Sequence, residues 1–170
     1  MKHLIGSLGV GFLLLALAQV QPTFAQTPQR LTLSGAAFIC ANQAVTGNCP
    51  NAEYDPALGS IQNPQGTWAA NVSLPQGAKV TALRLCGNFN EVGSAITATL
   101  DLAPLTASSG FPTTVPMASV QSSGASNETQ CFVTKSIADA TINNDKNQYY
   151  VVVVVPDNDG VIFTDVQVDY

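Results

Sequence analysis

Residues 149–155 read YYVVVVV, seven aromatic or β-branched residues in succession with no polar residue among them. Such side chains fit a pleated sheet and lose rotamer freedom in a helix. The run is far too short to span a membrane and about right for one strand. A strand with one wet face alternates in polarity, and this one does not. Parity divides it into two sets. Tyr149, Val151, Val153 and Val155 share one face; Tyr150, Val152 and Val154 share the other, together with Gln148. Both faces therefore ask for cover.

The start of the chain sets the compartment. Lys2 and His3 precede an apolar stretch, Leu4 to Val20, and Thr23-Phe24-Ala25 supplies small residues where a signal peptidase cuts. Residues 1–25 read as a secretory signal peptide, and residues 26–170 as a single domain. A retained membrane anchor is the rival reading. It is disfavoured by the short apolar core and the lack of basic residues on its far flank. The expected location is secreted, periplasmic or cell-surface. All four cysteines, Cys40, Cys49, Cys86 and Cys131, lie beyond the signal. An even number in an exported domain reads as two disulfides. Of the three pairings, a local Cys40–Cys49 staple with a longer Cys86–Cys131 closure is expected. No C-x-x-C pair is present, so a metal site is not expected.

Charge narrows the partners. Without Lys2, five basic residues face eleven acidic ones, a balance of −6. Nucleic acid and anionic membrane are poor partners for such a surface. The only histidine, His3, leaves with the signal. The processed chain then has no imidazole to serve as a base for a serine or cysteine nucleophile, or as a metal ligand. No cofactor is expected. Glu53 and Asp55 are the nearest carboxylate pair, and an Asp-Pro turn explains them better than glycoside hydrolysis. In "DNDG", 157–160, the glycine comes too early for an EF-hand, so a turn is expected in place of a calcium site.

Elsewhere the hydrophobic period is two. Ile96, Ala98, Leu100 and Leu102 alternate with Thr97, Thr99 and Asp101; Val166, Val168 and Tyr170 alternate with Asp165, Gln167 and Asp169. Further strands are expected over 31–40, 67–74, 79–86, 117–121 and 130–135. Turn signals separate them, and "PDNDG", 156–160, reads as a hairpin loop. No long segment has a helical period. About eight or nine strands predict an all-β antiparallel sandwich, of jelly-roll type, with two disulfides.

"VSLPQGAKVTALRLCGNFN" (72–90), "MASVQSSGASNETQCF" (117–132), "SIADATINNDKNQYYVVVVV" (136–155) and "DVQVDY" (165–170) together resemble a class of small bacterial exported β-sandwich domains of unsettled function. The resemblance implies no catalytic residues. In that class the positions of Val152 and Val154 are usually polar. The odd set of the 149–155 run is therefore assigned to the core, and Tyr150, Val152 and Val154 to the outer sheet face. Left bare, each would forgo roughly 1.5–3 kcal/mol of burial. The favoured cover is the chain's own segment 41–66. The sharper alternative makes these three residues a partner-binding surface, for a ligand or for a second subunit.

The leading functional expectation is a non-enzymatic exported module with a structural, adhesive or ligand-binding role, carbohydrate among the candidate ligands. A pilin-like subunit that polymerises by strand exchange is the alternative, and a secreted hydrolase the least favoured reading.

Overall fold

The computed structural model describes residues 27–41, 49, 52–62, 64–89, 95–105, 114–124, 126–156 and 161–170. The signal-peptide segment and the DNDG loop lie outside the described residues. Among the described residues there are eleven strands: β1 Arg30–Ser34, β2 Ile39–Cys40, β3 Glu53–Asp55, β4 Ser60–Gln62, β5 Gly66–Val72, β6 Ala82–Phe89, β7 Thr97–Pro104, β8 Val115–Gln121, β9 Ser126–Thr134, β10 Asn147–Val155 and β11 Val161–Asp169. Among the described residues the only helical turn is a 3-10 turn at Gly35–Ala37.

All strand pairs are antiparallel, in two sheets. One has the order β3-β4-β11-β6-β9, with β1 also paired to β11; the other is β2-β5-β10-β7-β8. Setting aside the short β2, β3 and β4, the eight long strands run 1-11-6-9 opposite 5-10-7-8. This is a jelly roll, in which successive long strands change sheet except at the β7–β8 pair. The two or three strands beyond the expected number come from the 39–62 region. They are short and add to sheet edges, so they carry little periodic signal.

Burial follows parity. Tyr149, Val151, Val153 and Val155 are buried between the sheets, facing Leu83, Leu85, Phe163, Val166 and Val168 of the opposite layer. Full burial of one such side chain contributes roughly 1.5–3 kcal/mol. Phe38 packs edge-on against Phe163, with ring centres 4.9 Å apart. Strand β9 is an edge, and its residues Asn127–Cys131 are exposed. A polar edge of this kind resists pairing with other chains.

Two expectations change. The single strand expected over 31–40 is broken at Gly35. There a side chain could not fit: a Cβ would lie 2.9 Å from the Gly59 carbonyl oxygen. The 35–37 turn then carries the chain from one sheet to the other. The second change concerns "PDNDG". Strands β10 and β11 belong to different sheets, so they do not pair as the expected hairpin. Local sequence cannot tell a hairpin from a change of sheet, because both need a tight, polar reversal between two apolar strands.

The disulfides pair as expected. Cys40–Cys49 closes a nine-residue separation, and Cys86–Cys131 joins directly opposed residues of β6 and β9 with Cα atoms 4.2 Å apart.

Candidate functional site

Strand β10 is the middle of its sheet, paired along its length with β5 on one side and β7 on the other. Its outer side chains therefore sit in fixed rows. Tyr150 lies between Asn71 and Asp101, Val152 between Ala69 and Thr99, and Val154 between Thr67 and Thr97. Ile39 of β2 extends the middle row beyond Ala69 and is 72% exposed. Tyr150 and Val152 are half-buried by their neighbours, while Val154 is 44% exposed. The three residues singled out by parity thus share one outer face.

Of the segment 41–66 expected as cover, residues 42–48, 50, 51 and 63 lie outside the described residues. Its residues 53–55 and 60–62 form β3 and β4, which extend the opposite sheet beside β11 and not the outer face of β10. The reason lies in the pairing of Ile61 with Phe163 and the burial of Ser60 and Ile61. That segment supplies core to the other layer.

At the Tyr150 end the face opens into a cleft of about 460 Å³. Asn71, Ser73, Asn144, Asn147, Gln148 and Tyr150 supply its polar walls, and no charged residue lines it. Sequence reading missed the amides, because they come from two segments about seventy residues apart, 71–73 and 144–150. The cleft is held rigid from behind. Asn144 N–H donates to Gln76 Oε1 at 2.6 Å, and Asn144 Nδ2 donates to the Leu74 carbonyl at 2.9 Å. The Tyr149 hydroxyl accepts the Asn143 N–H at 2.7 Å. The Tyr150 hydroxyl donates to Gln148 Oε1, which holds the phenol in place. Beside it, Asp101 is only 9% exposed and its Oδ1 has no hydrogen-bond partner. Burial pushes its carboxyl above the usual range, against a hydrogen bond from Thr99 that lowers it.

The other conspicuous cluster lies on the opposite sheet. Arg30 Nε reaches Asp169 Oδ1 at 2.6 Å, and Arg84 Nε reaches Oδ2 at 3.0 Å. Both guanidiniums are engaged with one carboxylate, and the group ties β1 and β6 to β11 across the sheet surface. The hydrogen bond from Arg30 is the main cause that holds Asp169 below the usual carboxylate range.

Of the carboxylate pair at 53 and 55, Asp55 is engaged locally. Asp55 Oδ1 accepts the N–H groups of Ala57 at 2.9 Å and Leu58 at 3.3 Å, an Asx-type turn, and Oδ2 accepts Gln62 Nε2 at 3.2 Å. Trp68 is a core residue whose indole N–H donates to the Pro64 carbonyl. Among the described residues no cluster of three His, Cys, Asp or Glu side chains is placed to hold a metal ion. No described helix is long and apolar enough to cross a membrane.

The fold and cleft define a disulfide-linked β-sandwich with an open polar face. No protein-family model matches the chain, and no curated protein is similar to it in sequence. Among solved structures it is similar to the CBM22-1–GH10 modules of Clostridium thermocellum endo-1,4-beta-D-xylanase 10B, complexed with xylohexaose. The identity is 12%, the TM-score 0.40, and the alignment covers 65% of this chain and 21% of the other. This chain therefore spans about a fifth of that longer one. It is also similar to a xylan-binding domain from CBM22, at 14% identity and TM-score 0.38, covering 65% and 70% of the two chains. A third similarity is to TmCBM61 in complex with beta-1,4-galactotriose, at 16% identity and TM-score 0.33, covering 83% and 87%.

Proposed function

We propose that this chain is an exported, non-catalytic binding module that holds a neutral carbohydrate on the outer face of the β10 sheet. One observation carries the reading: the cleft at Tyr150 is walled by amides, a serine and a phenol, with no charged residue lining it. Each amide offers both donors and acceptors, as each sugar hydroxyl does. An aromatic ring beside them gives the apolar face of a sugar a surface to rest on. The volume lies within the roughly 300–1,000 Å³ of ordinary small-ligand sites. Two disulfides suit an oxidising, extracytoplasmic location.

Isothermal titration with neutral gluco-, xylo-, manno- and galacto-oligosaccharides tests this. Binding by at least one series is expected, weakened at least about tenfold in Tyr150→Ala and Asn71→Ala and unchanged in Arg84→Ala. Absence of binding by every series, or equal loss in Arg84→Ala, overturns it.

The exposed aliphatic row supports a second reading, in which Val152, Val154 and Ile39 meet a protein surface or a second copy of the chain. Polymerisation by strand exchange has less support. Both flanks of β11 are already paired within the chain, by β1 and β4 on one side and β6 on the other.

A further inference from the structure

We propose that the carbohydrate is an extended chain, bound across the start of β10 in two adjoining clefts instead of one. This rests on the carbohydrate reading above. A second open cleft, of about 390 Å³, lies beside the first and is lined by Leu102, Asp139, Ala140, Thr141, Asn147 and Tyr149. Asn147 and Tyr149 line both clefts. The two spaces therefore meet at one residue pair, and a ligand that fills both passes over it.

The chemistry at this junction is that of a hydroxyl-binding point. Tyr149 is 3% exposed, and its hydroxyl accepts from the Asn143 N–H at 2.7 Å and lies 3.5 Å from Asn147 Nδ2. Its own proton has no acceptor among the described residues. A buried donor left unused in this way costs stability. Asn147 Oδ1 likewise accepts no hydrogen bond from the described residues. A free donor and a free acceptor side by side match one hydroxyl, which accepts from the first and donates to the second. The floor beneath does not yield easily. The 140–142 segment is bonded to 77–80 through Val80 N–H to Ala140 O, Gly77 N–H to Ile142 O and Ile142 N–H to Ala78 O. Beyond the junction, Thr141 and Asp139 offer a hydroxyl and a carboxylate to a further sugar unit, against the apolar wall of Leu102.

The test is chain length. Wild-type protein is titrated with members of one to six residues from the gluco-, xylo-, manno- and galacto-oligosaccharide series. Affinity is expected to rise at least about tenfold from monosaccharide to hexasaccharide in the series that binds. The double variant Asp139→Gly/Thr141→Ala should lose that gain and keep wild-type affinity for the shortest binding member. Glycine suits position 139, where φ is +45°, so the backbone is not strained by this change. Asn71→Ala, in the first cleft only, should weaken every length. A monosaccharide that binds as tightly as the hexasaccharide overturns the two-cleft proposal while leaving the carbohydrate reading intact. Undiminished hexasaccharide affinity in the double variant does the same. Failure of every series to bind overturns both.

Discussion

At the scale of single residues, two carboxylates bias stability in opposite directions with pH. Asp101 is buried, and its carboxyl is raised above its unfolded value. The folded state therefore binds its proton more tightly, and stability falls as pH rises from the unfolded toward the folded value. Asp169 is held down, chiefly by the Arg30 hydrogen bond. Its contribution is present above the unfolded value and disappears as pH falls through the folded one. Asp101→Asn should raise the melting temperature at neutral pH and lose that advantage in acid. Asp169→Asn should lower it at neutral pH, with the difference vanishing in acid. Melting curves across the acid range check both; matching slopes in the two variants would contradict the assignment. Gly87 is a steric case. A Cβ there would lie 2.5 Å from the Ile162 carbonyl oxygen and 2.9 Å from the Phe89 ring. Gly87→Ala is expected to cost about 1–3 kcal/mol, as overpacking of a tight core does, and chemical denaturation measures it.

At the scale of elements, β10 gives the sharpest contrast. Val153 is fully buried between the sheets, and Val152 lies half-buried on the outer face. Val153→Asp places an unpaired charge in the core and should unfold the domain. Val152→Asp should leave circular dichroism and the melting transition near wild type. If the aliphatic row docks a second copy, Val152→Asp also abolishes self-association in sedimentation; unaltered sedimentation behaviour then removes that reading. Unfolding of both variants would mean that both faces of β10 are covered by its own chain. The parity of the run was legible because β-strand side chains alternate strictly. The break at Gly35 was not. There the Gly35 N–H donates to the Gly59 carbonyl, twenty-four positions along the chain, and a run such as LTLSGAAF shows no interruption of its own.

At the scale of the whole molecule, the disulfides divide their work by loop length. In the chain-entropy view, closing the 45-residue separation of Cys86–Cys131 contributes about 4 kcal/mol and the nine-residue Cys40–Cys49 about 2.5 kcal/mol. The Cys86→Ser/Cys131→Ser variant should therefore melt lower than Cys40→Ser/Cys49→Ser, with both below wild type in calorimetry. The reverse order would show that the Cys40–Cys49 staple holds more than its own loop.

The sequence alone determined the all-β class, the core parity of the long strands, the two disulfides and the shortage of acid-base groups. Each of these follows from local period, residue count or residue type. Tertiary structure decided the rest. It put β10 and β11 in different layers, placed β3 and β4 beside β11 instead of over β10, and drew Asn71, Asn144 and Asn147 around Tyr150. Those outcomes depend on which strands become neighbours. That choice is set by how two twisted sheets bury their apolar faces together, a sum over contacts distant in sequence that no local pattern records.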